Sequence, residues 1–224
     1  MLSLAIEFSS SHRSVAVFRD KDRVGSVCHE WTRGQDPLAL VDAALGGIPF
    51  VDVDRIVVGV GPGSYTGIRM AIALGIGFRA STGAELVAVR SFDSMALQLV
   101  RGHEGEVDLL CVDDAQRGQL VCGRYRSQAG QLMSREKLEL IDVDALDEQV
   151  IRRPCLVGLS PGLAVKLAIE ACPDGSKVIS PRAQDALEIV NSNALDLETE
   201  LAPIYLRETS FVKAPLPSPF PDLA

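Results

Sequence analysis

The chain has no arrangement of cysteines that suggests a disulfide framework. Its 224 residues include five cysteines, an odd number, and none of them forms a Cys-x-x-Cys pair. A chain of this length can bury a sizeable core without covalent crosslinks. We therefore expect reduced, buried thiols in a cytoplasmic protein.

Positive charge and long apolar runs are also scarce. The formal net charge of −8 argues against broad, sequence-independent binding of nucleic acid by this chain alone. The first residues lack the basic and apolar regions of a signal peptide. The longest apolar stretch, residues 68–80, contains Arg69 and Arg79 and is too short to span a bilayer. We expect no association with a membrane.

Familiar catalytic and metal-binding patterns are missing as well, including His-Glu-x-x-His and any His/Cys cluster. Residues 158–162 match the Gly-x-Ser-x-Gly pattern of serine hydrolases. All three histidines precede Ser160, however, and Pro161 has no N–H for an oxyanion hole. We predict a turn into a helix there.

Asp113 and Asp114 should point to opposite faces of a strand, so we interpret them as a solvated turn.

The most informative feature is a glycine-rich loop at residues 61–69, GPGSYTGIR, between a β-branched run and a long apolar segment. This context predicts a strand, a tight loop and a helix. Free N–H groups at a helix N-terminus favour an anion. The loop nevertheless lacks the lysine of the phosphate-binding pattern and the third glycine of the dinucleotide pattern. We therefore favour a structural turn in which Ser64 or Thr66 caps the helix.

The order of predicted elements indicates two similar α/β units. Residues 1–104 form the first, with helices at residues 37–45, 67–81 and 91–100, the last capped by Ser91. A Gly/Glu-rich boundary follows, and a similar pattern restarts over residues 105–213. The strands predicted there lie at residues 107–112, 119–126, 137–141 and 155–157. The helices predicted there lie at residues 143–150, at residues 163–171 and after Ser180. Residues 214–224 are rich in proline, so we expect an extended or disordered tail.

The predicted helix after the loop is apolar all round. Its larger apolar residues fall on two opposite sides, with Ile68, Ile72 and Ile76 on one and Met70, Leu74 and Phe78 on the other. One side can cover a sheet, and the other needs a further layer. That layer is either another chain or the helix at residues 37–45.

These motifs resemble the TsaB family, formerly called YeaZ. It is a bacterial subunit of the machinery that makes the threonylcarbamoyl modification of tRNA adenosine beside the anticodon. The glycine loop resembles the family signature GPGSFTGLR. The resemblance continues, in order and spacing, at residues 4–10, 14–17, 114–119 and 203–207. It covers nearly the whole chain apart from the proline-rich tail.

The resemblance implies an α/β fold of two related actin/Hsp70/sugar-kinase-like (ASKHA) domains, with mixed sheets flanked by helices. It also implies a non-catalytic scaffold with no cofactor or metal of its own. Such a subunit binds the catalytic TsaD subunit through helices of its first domain. ATP and metal are then expected on partner subunits, which include the ATPase TsaE. tRNA is reached only through the complex, and the isolated chain is expected to form a homodimer through the same face.

The residues expected in this interface, or in the loop that orients it, lie in the glycine loop and in the predicted helices at residues 37–45 and 67–81 of the first domain. They are Gly61, Pro62, Gly63, Ser64, Tyr65, Thr66, Gly67, Ile68, Arg69, Ile72, Leu74 and Ile76, together with Leu38, Val41 and Leu45.

The chain departs from the family pattern at several polar positions. Glu7 stands where aspartate is usual, and Gln116 and Gln119 stand where arginine and glutamate are usual. Residues 33–36 lack the usual histidine, serine and glutamate. Ionic contacts with partners are therefore expected to differ, while the packing surface is kept. The alternatives are an ATPase or kinase of the same fold, a peptidase-like relative, and a paralogue that only homodimerises.

Overall fold

The computed structural model describes residues 1–152, 155–167, 175–192 and 195–206 of the chain. This part of the chain contains one five-stranded and one six-stranded sheet. Both sheets are mixed, and helices lie on them and between them. The predicted fold class, two related α/β units with mixed sheets flanked by helices, is confirmed.

The first sheet is built around β1 (Leu2–Glu7). The strands β2 (His12–Arg19) and β3 (Asp22–Glu30) continue from it as antiparallel hairpins. On its other side, β4 (Arg55–Gly59) and β5 (Glu85–Val89) extend the sheet in parallel. Every residue of β1 is buried, as expected of a central strand covered on both faces.

Two helices cover one face of the first sheet. The helix α1 (Pro37–Leu45) lies on β2 and β3, and α2 (Tyr65–Thr82) lies on β1 and β4. The Asp36 side chain caps α1 by accepting the Leu38 N–H, and Gly46 ends it in the left-handed conformation. The predicted bounds of α1 are confirmed.

The second sheet repeats the arrangement of the first around β6 (Glu106–Asp114). That strand pairs antiparallel with β7 (Gln119–Gln128) and parallel with β10 (Leu156–Leu159). The outer strands are β8 (Gln131–Arg135), which pairs with β7, and β11 (Lys177–Val178), which pairs with β10. With these outer strands included, the strand order of the second sheet corresponds to that of the first.

The strand β8 is absent from the sequence prediction. Only Leu132 of β8 is buried, so this edge strand has no apolar pattern to reveal it. The predicted third strand at residues 137–141 corresponds to β9 (Glu139–Asp142), which also pairs with β7. The helices α4 (Leu146–Arg152) and α5 (Pro161–Leu167) complete this unit.

The helices α3 (Ser91–Val100) and α6 (Ala183–Ser192) lie between the two sheets. The helix α6 packs on β1 and β4 of the first sheet, and α3 packs on β6 and β10 of the second. Their buried side chains form one core cluster with residues of both sheets, including Ala5 and Leu109. Because α6 comes from the C-terminal half but covers the first sheet, this shared layer joins the two units.

The structure corrects several predicted helix ends. Ser91 is the first residue of α3 and not its cap, which is Arg90. The helix α2 starts at Tyr65, before the predicted residue 67, and α5 starts at Pro161, before the predicted residue 163. Residues 168–171 of that predicted helix, the proline-rich tail at 214–224, and residue 207 of the last family motif lie outside the described residues.

Candidate functional site

The glycine loop joins β4 to α2 and is fixed by internal hydrogen bonds. The Ser64 hydroxyl accepts the Gly67 N–H at 3.3 Å, which confirms the predicted cap of α2. The Ser64 N–H donates to the Ser9 carbonyl at 2.6 Å. The Gly61 N–H donates to the Ser91 hydroxyl at 3.0 Å. These donors are engaged within the chain, so the loop connects α2 to β1 and α3.

Two glycines of the loop allow the close approach of another backbone segment. A Cβ atom at Gly67 would overlap the carbonyl oxygen of Phe8, and one at Gly63 would overlap that of Ser9. Gly63 also has a φ of +144°, which side-chain-bearing residues rarely adopt. The sequence shows that the loop is rich in glycine. Only the tertiary contact with the end of β1 explains which of these glycines are needed.

An aromatic and arginine cluster lies at the start of α2. The Arg69 guanidinium lies 4.0 Å from the centre of the Tyr65 ring. The Arg69 Nε donates to the Tyr205 hydroxyl at 3.0 Å, and the two tyrosine rings stack with centroids 5.4 Å apart. The Ile204 N–H also donates to the Val60 carbonyl. Residues 195–206 are thereby attached to the glycine loop, a contact that sequence analysis did not predict.

The helix α2 turns one side to the sheet and leaves the other open. Gly67, Ile68, Ala71, Ile72 and Gly75 are buried against the sheet. The opposite side, which we call the outer α2 face, is exposed and comprises Thr66, Arg69, Ala73, Ile76, Gly77 and Ala80. The helix α1 lies over β2 and β3 and does not cover this face.

The predicted interface residues are therefore divided between the core and the surface. Ile76 is 52% exposed, and Leu38 of α1 is 50% exposed. Ile68, Ile72, Val41 and Leu45 are buried in the core, and Leu74 is partly buried. The glycine loop likewise contains buried and exposed residues. Its buried residues are Gly61, Pro62 and Gly67, and Ser64 is half-buried. Its exposed residues are Gly63, Tyr65, Thr66 and Arg69.

A cleft of about 610 Å³ opens where strands of the two sheets end. Its walls include residues after β1 and β4, residues at the ends of β6 and β10, and the tip of residues 195–206. We call it the inter-sheet cleft. Its polar lining consists mainly of hydroxyl groups, with Asp113 and Asp114 as its acidic side chains.

The interpretation of Asp113 and Asp114 as a solvated turn is wrong. Both end the strand β6 and are half-buried in the cleft. The Ser160 hydroxyl donates to Asp113 Oδ1, and Asp114 forms an ion pair with Lys166 at 2.9 Å. Burial raises the pKa of the Asp113 carboxyl. Within the described ranges, no group of three His, Cys, Asp or Glu side chains could hold a metal ion.

Ser160 caps α5 and does not form a catalytic triad. Its hydroxyl accepts the Leu163 N–H at 3.3 Å while it donates to Asp113. This confirms the predicted turn into a helix at residues 158–162. The contact with Asp113, which is distant in sequence, brings the hydroxyl to the wall of the cleft.

Glu7 is completely buried at the end of β1. Its Oε1 accepts the Ser9 N–H at 2.8 Å, while Oε2 has no hydrogen-bond partner among the residues described. A Cβ atom at Gly59 would overlap this carboxylate, so glycine there makes room for the longer acid. Burial raises the pKa of Glu7. Glu7 does not line the cleft and is not placed to hold a ligand there.

The two glutamines that depart from the family pattern form hydrogen bonds with acidic side chains of the second sheet. The Gln116 side chain donates to Asp114 at 3.0 Å, and the Gln119 side chain donates to Asp142 at 3.4 Å. Gln116 and Arg117 have positive φ values, as expected in the tight turn between β6 and β7.

Comparisons with known proteins agree with these features. The family model described as TsaD, tRNA N6-adenosine threonylcarbamoyltransferase, matches residues 38–185. The tRNA threonylcarbamoyladenosine biosynthesis protein TsaB of Escherichia coli is 24% identical over 92% of this chain and 95% of its own length. The Bacillus subtilis TsaB protein is 35% identical over 36% of this chain and 34% of its own length.

Other relatives share a shorter segment or the fold. An uncharacterised Mycobacterium tuberculosis protein is 36% identical over 39% of this chain, and the matched segment spans only 37% of its own length. The structure of YeaZ from Pseudomonas aeruginosa has a TM-score of 0.72 and 22% identity, over 92% of this chain and 99% of that chain. That similarity shows a common fold.

No helix within the described ranges combines the length and the apolar character needed to cross a membrane.

Proposed function

Since this chain belongs to the family that the TsaD model describes and, within it, to the TsaB (YeaZ) group, we propose that it is a non-catalytic scaffold of tRNA threonylcarbamoyladenosine synthesis. In this proposal it binds a TsaD-like catalytic subunit, which carries the metal and performs the transfer. A TsaE-like ATPase joins the complex and supplies ATP turnover. The complex acts in the cytoplasm, and tRNA is contacted through it.

The observation that carries this proposal is the outer α2 face. The outer α2 face exposes the apolar Ile76 among the small residues Ala73, Gly77 and Ala80, and Thr66 and Arg69 are its polar members. Small residues let a second helix approach closely, because the distance between packed helices depends on the side chains at the contact. The partner that fits is a helix with larger apolar side chains.

The glycine loop supports the same function by fixing α2. Hydrogen bonds from Ser64 to Ser9 and from Gly61 to Ser91 hold the start of the helix, and the Arg69 cluster attaches residues 195–206 beside it. A rigid helix presents a docking surface with little loss of conformational entropy on binding. In this proposal the loop orients α2 toward the partner.

The lack of a reactive constellation in the described residues supports a non-catalytic role. Ser160, the residue of the hydrolase-like pattern, donates to an aspartate and caps a helix, and no histidine lines the cleft. Catalysis by a serine nucleophile needs an adjacent base.

We predict that Ile76→Glu weakens binding of a TsaD-like subunit from the same organism by at least about 100-fold, because docking would bury an unpaired carboxylate. Co-expressed subunits would be separated by size-exclusion chromatography with light scattering. Their affinity would be measured by calorimetry. The stability of the isolated variant should change by less than about 0.5 kcal/mol, because Ile76 is half-exposed.

The matched control is Met133→Glu on β8, where the side chain is 53% exposed and far from α2 in the fold. It should leave binding unchanged. Loss of a homodimer in Ile76→Glu with undiminished binding of the TsaD-like subunit would show that the face serves only self-association. Full modification of tRNA by a reconstituted system in which the heterodimer is absent would refute the scaffold role.

A further inference from the structure

Arg13 of β2 is a buried cation that has no acidic partner among the described residues. Only 5% of the residue is exposed. Its Nη1 donates to the Met70 sulfur at 3.2 Å, which is a weak acceptor, and its buried Nε has no hydrogen-bond partner in the described part of the chain. Burial lowers the pKa of the guanidinium. Because a charge removed from water is costly unless it is paired, this arrangement is unfavourable for the isolated chain.

Two aromatic rings hold the guanidinium in place. Its Cζ lies 3.7 Å from the centre of the Trp31 ring and 5.4 Å from the centre of the Phe8 ring. Cation–π contacts fix the position of an arginine side chain but do not use its N–H groups. We call Phe8, Arg13, Trp31 and Met70 the Arg13 cluster. The cluster holds a set of hydrogen-bond donors in position for a strong acceptor.

The acids that are close to Arg13 along the strands or the following loop are directed elsewhere. The residue opposite Arg13 on β3 is His29. Glu30 follows it and points to the other face of the sheet, because neighbouring side chains on a strand alternate. The Asp36 carboxylate accepts the Leu38 N–H at the start of α1. We therefore expect the acceptor for Arg13 to come from another molecule.

The Arg13 cluster adjoins the outer α2 face. Met70 is four residues after Thr66 and three before Ala73, and residues at these spacings are neighbours on the surface of a helix. Met70 and Trp31 are themselves half-buried. A subunit that docks on the outer α2 face would therefore lie beside the cluster, where one of its side chains can reach the guanidinium.

The group that fits this position is a carboxylate of a protein. A guanidinium binds carboxylates and phosphates through paired N–H bonds. Nucleic acid is usually bound by several cations that together neutralise its phosphates, whereas Arg13 is a single recessed one. The net charge of −8 also opposes the approach of a polyanion. These observations favour an acidic side chain over a phosphate.

We propose that Arg13 is a specificity-determining residue of the docking surface, and that an aspartate or glutamate of the TsaD-like subunit pairs with it beside the outer α2 face. This inference rests on the proposed scaffold function and adds to it the charge that the partner must carry. The partner then presents apolar side chains to Ile76 and one acid to Arg13.

The first experiment measures binding and stability separately. Arg13→Met removes the charge and keeps a long side chain in the cluster. We expect its affinity for the TsaD-like subunit, measured by calorimetry, to fall at least about 10-fold, because the acid of the partner would be buried without its cation. The thermal midpoint of the isolated variant should equal or exceed that of the parent chain, since an unpaired buried charge has been removed. The control Arg19→Met, at the exposed end of the same strand, should leave the affinity unchanged.

The second experiment identifies the acid. Each aspartate and glutamate of the TsaD-like subunit would be replaced by its amide and tested against the parent chain and against Arg13→Met in a double-mutant cycle. We expect one replacement that weakens binding of the parent chain and has no further effect on binding of Arg13→Met. If every replacement adds its full effect to that of Arg13→Met, no acid pairs with Arg13 and the inference is wrong.

The outcomes distinguish this inference from the function on which it rests. If the parent chain does not bind the TsaD-like subunit at all, both are overturned. If Ile76→Glu weakens binding and Arg13→Met leaves it unchanged, only this inference is overturned. Weaker binding of tRNA by a complex that contains Arg13→Met, with unchanged affinity between the subunits, would assign Arg13 to a phosphate and would also overturn it.

Discussion

Replacing Arg135 with methionine is expected to lower the free energy of unfolding by about 3–5 kcal/mol at pH 7.5, because it leaves a buried carboxylate without its cation. Asp93 of α3 is 1% exposed, and Arg135 of β8 donates to its Oδ2. The Tyr125 hydroxyl donates to Oδ1 at 2.8 Å. Urea unfolding followed by circular dichroism would measure the loss.

The pH dependence of that loss is a more specific test. The pKa of Asp93 is raised to about 6. Burial is the largest cause of the rise, and the positive charge of Arg135 opposes it. Without Arg135 the pKa rises further. At pH 5 the Asp93 carboxyl is then mostly protonated in both the parent chain and the Arg135→Met variant. Because a neutral carboxyl gains little from a nearby cation, the loss of Arg135 lowers the free energy of unfolding by less at this pH. We expect the destabilisation by Arg135→Met to shrink between pH 7.5 and pH 5.

The parent chain should show the matching trend. A carboxyl whose pKa is raised in the folded state binds its proton more tightly there than in the unfolded chain. Its contribution to stability is therefore complete below the unfolded value of 3.8 and declines as the pH rises to about 6. A shift of this size corresponds to about 3 kcal/mol. Asp93→Asn should remove this slope from the stability curve.

The control for this prediction is Arg126→Met on the neighbouring strand β7. The Arg126 side chain is 54% exposed, and its Nε lies 3.6–3.7 Å from the oxygens of Asp108 and Glu106. An exposed pair of this kind contributes at most about 1 kcal/mol. Equal losses for the two arginine variants, or a loss for Arg135→Met that does not change with pH, would contradict the assignment of a buried, titrating pair.

The Asp93 pair also affects the cleft. Arg135 and Arg90 both contact Glu198, at 2.9 Å and 3.1 Å, and so hold residues 195–206. That segment carries Ile204 and Tyr205, which line the inter-sheet cleft. Loss of Arg135 should therefore loosen one wall of the cleft as well as the core.

Gly67→Ala is expected to destabilise the chain by roughly 3 kcal/mol, because the new methyl group overlaps the Phe8 carbonyl and forces α2 away from β1. The overlap is with backbone, which cannot move aside as a side chain would. Thermal and urea unfolding at a fixed protein concentration would measure the effect.

The matched control is Gly77→Ala in the same helix. A Cβ atom at Gly77 meets nothing within 4 Å, and the residue is exposed. Alanine there should stabilise the chain by about 0.5–1 kcal/mol through helix propensity. If both variants behave alike, the close contact between the loop and the end of β1 is not what requires glycine at residue 67.

Local signals in the sequence predicted several elements correctly. Asp36, Pro37 and Gly46 define the ends of α1 because capping involves residues close in sequence. The β-branched residues of β4 and the capping Ser64 likewise identify the strand and the helix on either side of the glycine loop. The family motifs identified the fold class through the same short segments.

Other features depended on contacts between distant segments. The sequence pattern of α2 shows two apolar sides but does not say which one meets the sheet. The structure buries Ile72 and exposes Ile76 in the same predicted row, because packing against β1 and β4 sets the rotation of the helix. The edge strand β8 has one buried residue and no periodic signal.

The sequence by itself determined the fold class, the family and the role of residues 61–69 as a turn that begins a helix. Each of these features depends on residues that are close together in the sequence, so the residue types alone indicate it. The tertiary structure alone decided that Asp113 meets Ser160, that Arg69 meets Tyr205 and that Gly67 meets Phe8. These partners are distant in sequence and meet only when both sheets pack against α3 and α6. A local sequence pattern carries no information about that packing.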